Sequence, residues 1–247
     1  MAMSRRRFHL PPECIHDAVA ELPPDQCHYL RNVLRLGKGD EVEVFDGTGA
    51  AYAGRIEVAG RRVRVIELKP LAHGEPAPTL LLAAAIIKPA RFEWMLEKAT
   101  ELGVDEFLPL ITKYSEFRTG NANLEARLGR WQRIVCQACQ QCGRALVPAV
   151  RSPISFADFL ALEDLRGFTR LLCYEKGGVP LRSLTPAGPI ALCVGPEGGW
   201  DPGEVDAAQQ AEFKPVSLGR STLRAETAAL AAITLIRIAD CGLRIAD

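Results

Sequence analysis

The sequence predicts an α/β protein in two parts: a small strand-rich barrel over residues 1–72, then a mostly parallel α/β sheet domain over residues 73–247. Three observations carry this. The first seventy residues hold short, extended segments separated by tight-turn residues, the pattern of a small barrel. The stretch Lys69–Pro78 contains Pro70, Gly74, Pro76 and Pro78, which punctuates the chain as a linker. Beyond it, apolar strand-like runs alternate with helix-period runs, the order that builds a parallel sheet.

In the first part, Glu41–Phe45 alternates polar and apolar residues and ends at Asp46-Gly47-Thr48-Gly49, a turn composition. Ala51–Val58 and Arg62–Leu68 continue as strands, separated by Ala59-Gly60. One helix interrupts them, with Asp25 as expected N-cap and Cys27, Leu30 and Val33 or Leu34 on a common face.

In the second part, Thr79–Ile87 reads as a buried strand. Arg91–Leu102 is an amphipathic helix, with Phe92, Met95 or Leu96, Ala99 and Leu102 on one face and Gly103 as its stop. Phe107–Ile111 is a strand and Leu124–Cys142 a helix. Leu171–Tyr174 and Ile190–Val194 are strands. Asp201-Pro202 supplies an N-cap and a proline at the first helical position. Val216–Leu218 is a short strand, and Ala225–Ile238 is the last helix.

Composition narrows the function classes. Hydrophobic residues make up 48% and charged residues 24% of 247, the balance of a soluble globular protein. Thirty basic and thirty acidic residues cancel, so any nucleic-acid partner must meet a local basic face, not a global field. The longest apolar run, Leu80–Ile87, is eight residues, against the roughly 20 that a membrane span needs. Arg5, Arg6 and Arg7 are followed by Pro11 and Pro12, not by an apolar stretch, so no secretory signal is expected and the location reads as cytoplasmic. The four histidines, His9, His16, His28 and His73, all lie early, which argues against histidine-based triads in the second domain. Cys136, Cys139 and Cys142 share a helical face at i, i+3 and i+6; buried packing is the expected role, an iron–sulfur or zinc site the alternative, and no metal is expected.

Two loops concentrate the chemistry. Val194-Gly195-Pro196-Glu197-Gly198-Gly199-Trp200 follows a buried strand and precedes a helix, the place where open α/β sheets bind ligands. Its three glycines allow close backbone approach to a ligand, and Glu197 is its one acid. It matches neither G-x-G-x-x-G nor a phosphate-binding loop with lysine. Leu218-Gly219-Arg220-Ser221-Thr222-Leu223-Arg224 again joins a strand to a helix, with Glu226 and Thr227 in the first helical turn. A plain strand-to-helix turn and a simple helix cap are the bland readings. Two such loops in one half favour a shared ligand site.

With these residues in view, the chain resembles the RsmE family of 16S ribosomal RNA uracil-N3 methyltransferases, within the SPOUT superfamily. The resemblance rests on Arg7-Phe8, His28-Tyr29-Leu30-Arg31-Asn32-Val33-Leu34-Arg35, Val44-Phe45-Asp46-Gly47, Arg91 through Gly103, Gln141-Cys142-Gly143-Arg144 and the two loops, in that order. It implies a PUA-like N-terminal barrel that helps bind RNA, a SPOUT-type trefoil-knotted methyltransferase domain, and a homodimer. It also implies S-adenosyl-L-methionine as cofactor, held by Gly195, Pro196, Glu197, Gly198, Gly199, Leu218, Gly219, Leu223 and Arg224, with Thr227, Ala228 and Glu226 at the border. The chain departs from the family at two places. Ser221 stands where an arginine is usual, and Lys88-Pro89-Ala90-Arg91 replaces Lys-Gly-Asp-Arg.

Methylating uracil N3 needs a proton acceptor and a donor for charge that spreads over the two carbonyls. Arg224, always charged, is the expected donor; Glu226 and Glu197 are both candidates for the acceptor. RNA contacts are expected from Arg7, Arg31, Arg35, Lys88, Arg91 and Arg144. Arg5, Arg6, Arg61, Arg62, Arg64, Lys69, Arg118, Arg130 and Arg133 are further basic candidates. Trp94 and Trp131 read as core, while Trp200 is open as a base-stacking platform. The expected partner is the 16S ribosomal RNA of the small ribosomal subunit. A non-enzymatic RNA-binding or assembly factor, and methylation of another base, are the alternatives.

Overall fold

The structure, a computed structural model, describes residues 6–60, 62–72, 78–115, 123–184 and 188–239. Arg5, Arg61, His73, Gly74, Pro76 and Arg118 lie outside the described residues. The chain divides into two compact units, the first holding the segment before the linker together with residues 139–147, the second holding the remainder. That inserted segment, expected within the second domain, is the end of a long helix and the turn after it.

The first unit is built on a six-stranded mixed sheet. Its strands are β1 (Arg6–His9), β2 (Ile15–His16), β3 (Val19–Glu21), β4 (Glu41–Phe45), β5 (Ala51–Ala59) and β6 (Arg62–Pro70), in the order β1-β4-β5-β6-β3-β2. β1 runs parallel to β4, pairing Phe8 with Val44, and the remaining pairs are antiparallel. Phe8, Leu30, Val42, Val44, Ile56, Val63 and Val65 form one buried cluster, each such side chain contributing about 1.5–3 kcal/mol by leaving water. The helix here is α1 (Pro24–His28), continued by a single wide turn over residues 29–33. Pro23, not Asp25, occupies its N-cap, because Pro24 has no N–H to satisfy and suits the first helical position. Leu30 is buried and Val33 is 60% exposed, so the inward face runs through Leu34.

The second unit holds an all-parallel sheet. Its strands are β7 (Leu80–Ala85), β8 (Glu106–Ile111), β9 (Ala149–Val150), β10 (Ile154–Ser155), β11 (Thr169–Cys173), β12 (Val179–Pro180), β13 (Ile190–Val194) and β14 (Lys214–Ser217). Their order is β10-β8-β7-β13-β11-β14-β12, with β9 beside β8. β7 and β13 are buried at every position and pair Ala84 with Val194. Such unbroken apolar strands follow from a sheet covered on both faces. The helices are α2 (Pro89–Glu101), α3 (Leu124–Cys142), α4 (Phe156–Leu160), α5 (Pro202–Gln210) and α6 (Ala225–Ala239). α4 and α5 bury Phe156, Phe159, Val205 and Ala208 in the same cluster as Leu81, Ala83, Leu108 and Leu110 of the sheet. α6 packs along α2.

Sequence expectation and structure differ in detail. β1, β2, β3, β9, β10, β12 and α4 are short pieces of two to five residues, too brief for a period of two or 3.6 to declare itself. Trp131 is buried as expected, against Phe92 at 4.8 Å between ring centroids. Trp94 is not core: it is 46% exposed, because Phe92, Met95, Leu96 and Ala99 take the inward face of α2. Among the described residues, no helix is long and apolar enough to cross a membrane. No group of three His, Cys, Asp or Glu among them is placed to hold a metal. Cys139 is buried with Phe45, Ala51 and Ala145, and burial pushes the Cys136 thiol up to about 11.

Candidate active site

All strands of the parallel sheet deliver their carboxyl ends to one edge, and three of them, β11, β13 and β14, open there into a common cavity of about 400 Å³. β13 leads into the glycine loop at residues 195–200. Gly195 is obligatory by contact: a Cβ there would stand 2.8 Å from the indole of Trp200. Trp200 is 3% exposed, packs on Phe156 and donates its Nε1–H to the Cys173 carbonyl at 2.9 Å. It therefore fastens the loop to the end of β11, and the idea of a base-stacking platform at this residue is corrected. At 3% exposure, the ring has little open surface for a base to stack on.

The loop ends in a well-capped helix. Asp201 accepts a hydrogen bond from the Gly203 N–H at 3.0 Å, and Glu204 reaches back to the Asp201 N–H at 3.1 Å. This reciprocal arrangement satisfies donors that the first turn of α5 leaves free. Lys113, just after β8, pairs with Asp201 at 2.5 Å and is the first cause that holds the Asp201 carboxyl below its usual range.

The second loop, 218–224, follows β14. The Arg224 carbonyl accepts the Ala228 N–H at 2.8 Å, the first turn of α6, which leaves the Arg224 side chain exposed at the cavity wall. Of the residues expected to hold a cofactor, Gly195, Pro196, Glu197, Gly198 and Gly199 line the cavity from one side. Leu218, Gly219, Leu223, Arg224 and Ala228 line it from the other. Thr227 does not line it, because it lies on an exposed face of the first turn of α6. Arg220 and Ser221, where the chain departs from the family pattern, both lie on the wall.

Sequence reasoning missed the third contributor, Cys173-Tyr174-Glu175 at the end of β11. The signal was present: in a parallel sheet, neighbouring strands end on the same side. Glu175 brings an acid to the wall, with its Oε1 3.2 Å from where a Cβ on Gly199 would be. Burial pushes the Cys173 thiol up to about 12, so it is an inert part of the wall.

The charges converge on Arg91. It sits in the first turn of α2, lines the cavity, and pairs with Glu197 of the glycine loop. Its Nε also lies 3.9 Å from Glu226 Oε1. Glu226 is 7% exposed and does not line the cavity; its Oε2 has no hydrogen-bond partner among the described residues. Arg91 was expected to contact RNA; the structure places it between two carboxylates at the cavity instead. Lys88, at the N-cap of the same helix, is exposed.

Most of the other basic candidates belong to the first unit. Arg7 is turned inward, a correction to the expected RNA contact: it pairs with Glu43 at 2.6 Å, donates to the Cys139 carbonyl at 3.1 Å and lies over the Phe45 ring. Arg31 donates to the Gly60 carbonyl at 2.9 Å, tying the turn after α1 to the β5–β6 hairpin. Arg35 is exposed, and Arg144 is half-buried. Arg6, Arg62 and Lys69 are exposed, and Arg64 pairs with Glu21. In the second unit, Arg130 forms a two-point pair with Glu93, and Arg133 donates to the Gly129 carbonyl.

The cavity has the features of a small-molecule site: concave, part apolar, with a few convergent polar groups. The glycine loop forms one wall and residues 218–224 the other, with Arg224 and Glu197 among the lining residues.

Residues 75–237 match the RNA methyltransferase domain family, and residues 22–67 match the RNA methyltransferase PUA domain family. The ribosomal RNA small subunit methyltransferase E of Synechocystis is 36% identical over 237 residues, covering 93% of this chain and 76% of that protein. The protein of the same name from Rickettsia conorii is 30% identical, with 96% of each covered. The crystal structure of a ribosomal RNA small subunit methyltransferase E from Neisseria gonorrhoeae, bound to S-adenosyl methionine, superposes with a TM-score of 0.86 at 33% identity, covering 95% of this chain and 97% of that one. A putative methyltransferase from Legionella pneumophila, in complex with the same cofactor, also reaches 0.86, at 29% identity, over 96% of this chain and 98% of its own. A PUA-like first unit, a parallel α/β second unit and identity along nearly the whole length agree: this chain belongs to the ribosomal RNA small subunit methyltransferase E family.

Proposed function

We propose that the protein methylates N3 of one uridine in the 16S ribosomal RNA of the small ribosomal subunit, using S-adenosyl-L-methionine, in the cytoplasm. The observation that carries this reading is the cavity where the 195–199 and 218–224 loops meet, with Arg224 and Glu197 on its wall. The residues fit the cofactor: Gly195, Gly198 and Gly199 line the cavity on one side, and Leu218, Gly219 and Leu223 supply the other. When bound, S-adenosylmethionine supplies an electrophilic methyl group on a sulfonium.

The protein's own task is then alignment and charge. Arg224, on the wall and permanently charged, donates to the uracil carbonyl oxygens as charge builds there. Glu197 accepts the N3 proton, because it lines the cavity and Glu226 does not. Glu226 acts through Arg91: from its buried position at the start of α6 it helps hold the guanidinium that in turn holds Glu197. Arg35, Lys88 and Arg144 are the basic side chains assigned to the RNA backbone, and the first unit is assigned to RNA binding. The same reading carries the trefoil-knotted path of the second unit, supported by the closeness of the 195–199 and 218–224 loops.

A homodimer is part of this proposal. α6 leaves Leu235 (38%) and Ile238 (57%) exposed on one helical face, and α2 leaves Trp94 exposed. These exposed apolar side chains, on helices that pack together, are the surface this reading assigns to the dimer.

The test is methylation of small subunits from cells lacking the activity, with labelled cofactor and nucleoside mass spectrometry. A single 3-methyluridine is the expected product. Cofactor binding with a different methylated nucleoside would overturn the assigned base. Neither binding nor transfer would favour a non-enzymatic RNA-binding factor.

A further inference from the structure

Tyr114, two residues into the turn after β8, presents a ring beside the glycine loop that the reaction as described does not use. Its root rests on that loop, since a Cβ on Gly198 would stand 3.1 Å from Tyr114 Cβ. Its far end is also held, the hydroxyl donating to Asp201 Oδ2 at 3.2 Å. Lys113 Nζ lies 5.5 Å from the ring centroid and pairs with the same carboxylate. The ring is thus held at both ends, yet Tyr114 is 48% exposed. A side chain that served packing alone would be covered. One that is fixed in orientation while open to water has already lost the freedom that binding would otherwise cost.

We propose that Tyr114 is a positioning residue for RNA, its exposed ring stacking on a base of the unpaired strand that feeds the cavity. The ligand is an unpaired nucleobase, which every RNA strand offers as a flat π-face. This rests on the methyltransferase reading. Loss of one base–aromatic contact is expected to raise the KM for RNA about tenfold or more.

The test compares Tyr114→Ala, Tyr114→Leu and Tyr114→Phe in the full-length protein. For Tyr114→Ala and Tyr114→Leu, KM for unmodified small subunits rises about tenfold while kcat and the Kd for S-adenosylmethionine stay within twofold. Tyr114→Phe, which keeps the ring and loses the bond to Asp201 that holds its outer end, raises KM less than Tyr114→Ala does. In parallel, the affinity of each variant for a fluorescein-labelled single-stranded oligouridylate is read by anisotropy, which needs no turnover. A wild-type protein that binds this RNA without methylating subunits removes the methyltransferase reading and leaves Tyr114 testable. The inference is overturned if Tyr114→Ala leaves KM and anisotropy within twofold of wild type. It is equally overturned if cofactor affinity falls in step with RNA affinity, since the ring would then only brace the glycine loop.

Discussion

Gly195 and Trp200 stand so close that a single added methyl group has no room: a Cβ on Gly195 would be 2.8 Å from the indole Cε2 and Nε1. The indole cannot retreat, because its N–H is committed to the Cys173 carbonyl and its ring to Phe156. Gly195→Ala must therefore shift the glycine loop or break the anchor. The expected cost is about 1–3 kcal/mol of stability, as for overpacking in a core, together with at least tenfold weaker cofactor binding. Gly129→Ala is the contrasting change: Gly129 lies within α3 with nothing within 4 Å of a built Cβ. It should stabilise the protein by about 0.5–1 kcal/mol through lower backbone freedom in the unfolded chain. Denaturant midpoints and cofactor titration check both.

Arg224 and Arg91 should separate kinetically. Arg224→Ala removes a donor to developing charge, and kcat should fall about 10²- to 10³-fold. Retention of near wild-type turnover would remove Arg224 from the mechanism. Arg91→Ala leaves Glu197 and Glu226 facing each other without their shared cation. Its effect should appear in the pH dependence of kcat/KM, because the base itself is disturbed, while Arg224→Ala should change only the height of that profile.

The buried thiols predict an alkaline weakness. Burial pushes Cys136 up to about 11 and Cys173 up to about 12, from an ordinary value of 9.0. Between pH 9 and 12 the unfolded chain therefore holds fewer protons than the native one, and stability falls as pH rises. Below pH 9 both states keep these protons, and the thiols add no slope. Urea midpoints at pH 8 and pH 10.5 should differ, and Cys173→Ala should flatten part of the fall. At pH 8, native Cys173 should also resist thiol-specific labelling.

The exposed apolar residues of α6 predict how assembly fails. Leu235→Glu or Ile238→Glu places a charge where the proposed dimer would bury it, at several kcal/mol if unpaired. Light scattering should then report a monomer that keeps its thermal midpoint in the first unit. A wild-type chain that scatters as a monomer would sink the dimer itself.

The sequence by itself determined the long elements. β5, β6, α3 and α6 lie within about two residues of where hydrophobic period and turn residues place them, since each contains enough residues for a period to emerge. The two glycine-containing loops were also legible, because glycines after a buried strand are a local signal. What tertiary structure alone decided is which residues meet. Trp94 and Trp131 occupy similar helical contexts, yet one is exposed and the other buried, a matter of which face a neighbour covers. Arg7 and Arg91 read from the sequence as RNA contacts, but one is closed in by Glu43 and the Cys139 carbonyl and the other is drawn to Glu197 and Glu226. Glu175 reaches the cavity, and Tyr114 the glycine loop, only because parallel strands far apart in sequence end along one edge. Local pattern is written in neighbours along the chain. The choice between a solvated charge and a paired one depends on partners tens to more than a hundred residues away, which no window of sequence contains.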